Sequence, residues 1–330
     1  MIFSEGSGLN DSLFGKSQAP IRALIEKRAE AFEQESAIKN LFNVEKSNHY
    51  AEKVTTTTAM NGPEPVGENG AYPVDEMQEG YSKTIEHMTW KNSFSISREM
   101  IEDSTILNLR QRPEQFIASW NRTRERFAAG LFGKAATGET SLKMGGKVFP
   151  TTGADGKILF ATDHPAKVKG AAQSNKFSNT FSDDALGMVE TAMHMFKGDN
   201  GEILNVSPDT ILIPNNHALK KAVFAAIGAD KDPTTSNNGF NYQFGRWNVI
   251  IWPYLNEFLG ATNAWMLVDS TFNQGFTGAV WYDRTELNIR SEIDGNTDAN
   301  VWKGRARWGA GFVDWRFAAV GGITGGTALS

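Results

Sequence analysis

The segment from Thr55 to Gly80 constrains this chain more than any other. It opens on a run of four threonines, Thr55 to Thr58. It then passes through Asn61-Gly62-Pro63-Glu64-Pro65, Gly67, Gly70 and Pro73. Turn-formers dominate and few large apolar residues interrupt them. A structureless loop of this length is uncommon inside a compact domain and usually serves binding or interaction. It leads into a strand in which Met88, Trp90, Phe94 and Ile96 share one face. Thr89, Lys91, Ser93 and Ser95 share the other. Together the two parts predict a protruding two-stranded arm over about residues 50–97. Two strands alone are only marginally stable in water, so the arm needs a neighbour to lie on.

The flanking sequence reads as mixed helix and strand. The first ~18 residues are polar and rich in Gly and Ser, and should gain order only on binding. From Pro20, the residues Ile21, Leu24, Ile25, Arg28, Phe32 and Ile38 recur at near-helical spacing. They predict an amphipathic helix over about 20–42 whose apolar face finds no cover nearby in sequence. Pro113 opens the longest helical pattern. Phe116, Trp120, Thr123, Phe127 and Leu131 form its stripe, with Arg122, Arg124 and Arg126 facing away and Gly133 and Gly138 as stops. At ~1.5 Å per residue this helix spans about 30 Å, enough for the spine of a flat domain.

Residues 139–180 are loop-rich. Ser182 and Asp183 cap a helix through Phe196, with Gly198 ending it. The strand Thr210–Ile213, the helix Ala218–Ile227 and the strands Trp247–Trp252 and Trp265–Val268 follow, as in a compact α/β lobe. The last section is β-rich. Leu287, Ile289 and Ile293 alternate with polar residues, Asp294-Gly295-Asn296 has hairpin chemistry, and a long aromatic strand returns over 301–320. Seven of the nine tryptophans follow residue 240, so most indoles belong to this C-terminal region. No internal repeat is visible.

Composition removes several classes of function. The chain has no cysteine, which excludes disulfides, thiolate zinc sites and cysteine nucleophiles. The formal net charge of −5 is not that of a polycationic nucleic-acid binder. The start lacks a basic, apolar secretory signal, and no stretch approaches ~18 consecutive apolar residues. The expected setting is the cytosol, unless the chain leaves inside something larger.

Candidate chemistry is sparse. No phosphate loop, His-Glu-x-x-His zinc helix or Gly-x-Ser-x-Gly elbow occurs. Gly309-Ala310-Gly311 lacks the third glycine of a dinucleotide fingerprint and reads as close backbone packing. The histidines at 49, 87, 164, 194 and 217 are too far apart for local metal pairs. Asp163-His164 looks like a dyad, but adjacent residues in a strand project oppositely, so loop closure is the better reading. The acidic set Asp283, Glu286, Glu292, Asp294 and Asp298 does not match a calcium loop and reads as a solvated face. Lys303, Arg305 and Arg307 alternate on one strand face. Three readings stand open for them: ion pairs with Glu286 and Glu292, subunit contact, or weak contact with phosphates. No catalytic residue, metal ligand or cofactor site is assigned.

Four stretches carry a family resemblance. They are Phe94-Ser95-Ile96-Ser97-Arg98-Glu99-Met100, Leu159-Phe160-Ala161-Thr162-Asp163-His164-Pro165, Ser207-Pro208-Asp209-Thr210-Ile211-Leu212-Ile213-Pro214, and Arg305-Ala306-Arg307-Trp308-Gly309-Ala310-Gly311-Phe312-Val313-Asp314-Trp315-Arg316. In order and spacing, over about 20–320, the chain resembles the Mu-type major head subunit of tailed phages, with the Hong Kong 97-type capsid fold. The resemblance implies an α+β fold. Its parts are an N-terminal arm with an amphipathic helix (1–48), an extended β E-loop (49–100), a spine helix with peripheral domain (101–180), an axial domain (181–275), and long peripheral strands with the C-terminus (276–330).

It also implies a non-enzymatic shell protein of the virion, assembled in the bacterial cytoplasm, that forms hexamers and pentamers around double-stranded DNA. The expected partners are other copies of itself, a separate scaffolding protein, a portal protein, DNA held without sequence specificity, and a decoration protein. A separate scaffold is expected because only ~48 residues precede the loop. No Lys–Asn cross-linking pair is identified. The expected intersubunit contacts are Ile21, Leu24, Phe32, Glu64, Val66, Tyr72, Glu79, Arg305 and Arg307. The competing readings are a cargo-enclosing nanocompartment shell of the same fold and a soluble hydrolase or sugar-binding β protein.

Overall fold

The computed structural model describes residues 23–25, 27–28, 31–32, 36–58, 63–74, 79–103, 106–228, 241–260 and 263–329. Among the described residues there are two four-stranded sheets and two two-stranded ribbons, one of which pairs β5 (Ser141–Met144) with β6 (Lys147–Pro150). The first sheet is built from β1 (Asn43–Lys46), β4 (Met88–Ile96), β10 (Ala279–Ile293) and β11 (Asn300–Phe312). Their order is β1-β10-β11-β4. β1 runs parallel to β10 and the other pairs are antiparallel. Alternation in β11 is strict over most of its length: Trp302, Gly304, Ala306 and Trp308 turn inward, while Lys303 and Arg305 are exposed.

One long helix, α3 (Ile106–Ala136), covers the inner face of that sheet. Trp90 stacks on Trp308 with centroids 4.8 Å apart and rings 5° from parallel. Trp120 meets Trp308 edge-on, and Phe127 does the same to Trp281. Trp281, Trp302 and Trp308 are at most 1% exposed. Each indole removes on the order of 200 Å² from water, worth up to about 5 kcal/mol at ~25 cal/mol per Å². Helix and sheet approach closely because Gly304 has no side chain. A Cβ there would stand 2.8 Å from the Phe116 ring and 3.0 Å from Trp120.

The helix departs from the sequence expectation at both ends. It begins before Pro113, which sits inside it. Tertiary packing outweighs the hydrogen bond that the proline removes, since Pro113, Phe116 and Ile117 are all buried. Gly133 is no stop; it admits Phe258, whose Cβ would lie 2.5 Å from a Cβ at that position. Gly138, with φ +87°, does end the run. Arg124 does not face away either. It reaches the sheet, where it makes a paired contact with Asp283 at 2.9 and 3.1 Å and lies over the Trp281 and Trp308 rings.

The N-terminal helix is shorter than expected. The described residues between 23 and 32 are helical, Ser36 and Ala37 are not, and α1 (Ile38–Leu41) gives way to β1. Its apolar face does find cover within the chain. Ile25 is fully buried and joins Ile38, Leu41 and Phe42 in the main core. Arg28 lies 3.8 Å from Glu114, and Ser36 donates to Glu125 at 2.5 Å. The cover comes from α3, about ninety residues onward, which is why local sequence does not show it.

The second sheet orders as β12 (Ala318–Gly321), β9 (Trp265–Val268), β7 (Thr210–Ile213) and β8 (Asn248–Ile251). β7 and β9 are buried throughout. α4 (Asp183–His194), capped by Ser182, and α5 (His217–Ile227), capped by Asn216, join the same core. The aromatic strand expected over 301–320 is thus two strands in two sheets, broken at 313–317. The helix expected to reach Phe196 ends at His194.

Gly304→Val should push α3 off the sheet. Overpacking of this kind costs about 1–3 kcal/mol, so the denaturant midpoint should fall with little change in slope. An unchanged midpoint would contradict the close approach.

A candidate intersubunit surface

The expected two-stranded arm divides into two structures. The ribbon proper pairs β2 (Ala51–Thr57) with β3 (Glu79–Glu86), in register from Ala51 opposite Glu86 to Thr55 opposite Ser82, with a shift before Thr57 opposite Glu79. After His87 the chain crosses into the first sheet, so β4 belongs to the body and not to the arm. The amphipathic pattern of 88–96 is real, but its apolar face lies on α3 and its neighbours. Beyond the ribbon the described residues 63–74 are all exposed. Tyr72 is 94% exposed and Val74 89%.

The base of the ribbon is fastened to the body. Ile85 packs with Val280, Tyr282 and Val313 in a small separate core. Gly309 allows this crossing, since a Cβ there would stand 2.4 Å from the Glu86 carbonyl oxygen. Two lysines tie the ribbon down. Lys83 donates to the Thr152 carbonyl, and Lys167 donates to the carbonyls of Glu79 and Gly80 while lying over the Tyr81 ring. Burial pushes the Lys83 ammonium down to about 8, against a weaker opposing pull from Asp155. His87, at the crossing, is buried, and its ring lies 2.9 Å from Ser47 Oγ. Burial lowers its pKa.

Beneath the ribbon lies a buried polar junction. His164 Nδ1 is 2.6 Å from Asp155, Nε2 is 3.1 Å from Asn175 Oδ1, and the ring stacks on Trp315 at 4.2 Å. The Asn175 amide donates to the carbonyls of Leu159, Trp315 and Ala318. Arg316 bridges Asp199 and Asp314. The histidine is a loop closure, and its carboxylate partner is Asp155; Asp163 pairs instead with Lys157 at the surface. Both ring nitrogens are engaged and the side chain is 0% exposed, so no substrate can reach it. Among the described residues no group of three or more His, Asp or Glu is placed to hold a metal ion. No helix among them is long and apolar enough to cross a membrane.

The structure separates the nine residues expected at subunit contacts. Ile21 lies outside the described residues. Leu24 and Phe32 are half-buried, and Phe32 packs on the chain's own core. Glu64, Val66 and Tyr72 are exposed on the loop, with Glu79 at the start of β3. Arg305 is exposed and Arg307 half-buried on the outer face of the first sheet. Of the expected acidic face, Asp283 pairs with Arg124, Glu286 with Lys46 and Glu292 with Lys303, while Asp294 caps its own turn. Sequence reasoning missed Lys83 and Lys167, whose partners are main-chain carbonyls, and Arg316, which pairs with Asp314 two positions before it and with the distant Asp199. A lysine in an alternating strand beside a loop gives no local sign of this.

A four-stranded sheet backed by one long helix, a second α/β lobe and a two-stranded ribbon define a capsid fold of the Hong Kong 97 type. Solved structures share it. One from Microbacterium phage Oxtober96 aligns with a TM-score of 0.52 at 11% identity, covering 88% of this chain and 90% of that chain. One from Mycobacterium phage Patience gives 0.52 at 13%, covering 94% and 89%. The capsid of Ralstonia phage GP4 gives 0.50 at 12%, covering 84% and 87%. No curated protein sequence matches. The family model for phage capsid protein matches residues 80–321, and the chain belongs to that family. It is a structural phage capsid protein, a component of the virion.

Because the Lys83 pKa is lowered, its charged form opposes burial. Folded stability should therefore rise as pH climbs from about 8 towards 10.5, where the freed lysine also loses its proton. Thermal melts should show this rise in the native chain and lose it in Lys83→Met. An identical pH profile in both would contradict the buried ammonium.

Proposed function

We propose that the chain is a Mu-type major head subunit that tiles an icosahedral shell as hexamers and pentamers around double-stranded DNA. Residues 1–48 serve as the N-terminal arm and 49–100 contain the E-loop. The spine helix and peripheral domain occupy 101–180, the axial domain 181–275, and the long peripheral strands 276–330. Assembly takes place in the bacterial cytoplasm on a separate scaffolding protein and around a portal, and the finished shell offers an outer surface to a decoration protein. Its chemistry is contact alone, with no catalytic step.

One observation supports the assembly reading above the others. Tyr72, Val74 and Val66 are 94%, 89% and 53% exposed on a loop held away from the core. A chain that remained solitary would leave this apolar surface in water. Laid on a neighbour, it is buried at ~25 cal/mol per Å². A loop from one part of the chain meeting another part of the next copy is a heterologous contact, which closes into rings when its rotation permits.

Deleting residues 60–78 should leave a folded protein that makes no closed shells, since the ribbon base and both sheets remain. Circular dichroism would report the fold and electron microscopy the shells. Normal shells from the deletion would contradict the assignment of this loop.

A further inference from the structure

The ribbon is not a regular ladder. Its strands pair one to one from Ala51 opposite Glu86 to Thr55 opposite Ser82, and pairing resumes with Thr57 opposite Glu79. Thr56 therefore faces both Gly80 and Tyr81, the two-against-one arrangement of a β-bulge. A bulge bends its strand and raises the local twist. Only glycine fits there, since a Cβ on Gly80 would stand 2.8 Å from the Thr56 carbonyl oxygen. A bulge also disrupts the ladder around its extra residue. Here side chains serve the carbonyls concerned. The Thr56 hydroxyl donates to the Tyr81 carbonyl at 3.1 Å. The Lys167 ammonium donates to the Glu79 carbonyl at 2.7 Å and also to that of Gly80. It lies 5.5 Å from the centre of the Tyr81 ring.

Lys167 is mounted on the body by a strap. Residues 164–173 form a loop closed by two reciprocal backbone bonds, His164 N–H to the Gln173 carbonyl at 2.9 Å and Gln173 N–H to the His164 carbonyl at 3.0 Å. Within that loop, Lys167 N–H donates to the Asp199 carboxylate at 3.3 Å and Lys169 N–H to the Asp199 carbonyl at 2.9 Å. Asp199 is buried and lies 2.9 Å from the buried Arg316. A lysine on a loop fixed by a buried ion pair thus reaches the ribbon at its bulge. A small cleft lies beside the bulge, lined by Thr56 and Tyr81 of the ribbon and by Asp155, Asp199 and Arg316 of the body.

We infer that the bulge at Thr56, Gly80 and Tyr81 is the hinge of the ribbon, and that Lys167 is its latch, fixing the angle at which the outer part leaves the body. Ile85 and Lys83 hold the ribbon on the body side of the bulge. Lys167 engages the bulge itself. Its bonds favour the bent form over a straight one, because a regular ladder would pair the ribbon's main chain with itself. The inference concerns the stance of the ribbon within one chain, so it stands or falls independently of the shell reading.

Amide hydrogen exchange on the full-length chain tests it, with native and variant chains compared in the same assembly state. Lys167→Met should speed exchange roughly tenfold over Thr55–Thr57 and Glu79–Ser82, the size expected for losing a charge-assisted bond. Exchange over Ala51–Val54, Lys83–Glu86 and the first sheet should not change. Lys167→Arg, which keeps the charge and the donors, should stay close to native. Deleting Gly80 makes the ladder one to one, and in that chain Lys167→Met should add nothing. Unchanged exchange in Lys167→Met would overturn the inference. So would an equal rise along the whole ribbon, which marks a general loss of stability, or a full effect of Lys167→Met in the chain lacking Gly80. Should the deletion prevent folding, as circular dichroism would show, the comparison of Met with Arg at 167 decides alone.

Discussion

The contact between α3 and the inner face of the first sheet is the constraint on which the rest depends. Trp90, Trp120, Trp281 and Trp308 form its centre, with Phe127 and Phe149 alongside. Arg124 reaches across it to Asp283 with its guanidinium over two indoles, a charged bond fixed in register by a cation–π contact. The helix also carries the other elements. Its N-terminal half receives Arg28 through Glu114, Glu125 receives Ser36 and Trp252, and Gly133 admits α6 (Leu255–Leu259) through Phe258. The helix and the first sheet form one packed layer pair, and the ribbon base and α6 contact it.

The ribbon is joined to this body by few side chains. Its base rests on few apolar residues, chiefly Ile85 against Val280, Tyr282 and Val313. Two lysines bound to main-chain carbonyls do the remaining fastening, and one of them is charged at a cost. Contacts that are few and polar open more readily than a packed core. The buried junction of His164, Asp155, Asn175 and Arg316 lies below, and its polar groups are paired with one another.

Much of this was legible in the sequence, and the failures have physical causes. The exposed stretch 63–74, the strand pattern of 88–96, the strand Thr210–Ile213 and the hairpin at Asp294-Gly295-Asn296 all follow from period and turn chemistry, whereas Thr55–Thr57 and Glu79–Gly80, read as loop, are strand. What failed was anything settled by a distant partner. Strand 88–96 was joined to the wrong ribbon because alternation gives a face but not a neighbour. Arg124 looked solvated because Asp283 is 159 positions away. The N-terminal helix looked uncovered because its cover is α3. Pro113 looked like a start because local propensity favours it there, while burial of the flanking residues carries the helix through. On the outer face of the first sheet, Arg305 is legible from its alternation in β11, whereas its like-charged neighbour Lys91 emerges only from the β4–β11 register.

The central claim is that this body and its ribbon are parts of a closed shell in which each loop is covered by the next subunit. A cryo-electron microscopy reconstruction of the particle formed by the full chain tests it most directly. The account predicts a shell of hexamers and pentamers in which residues 63–74, exposed in the single chain, lie buried on an adjacent copy. A particle in which those residues remain in solvent, or a chain that stays monomeric under conditions where it is folded, would contradict it.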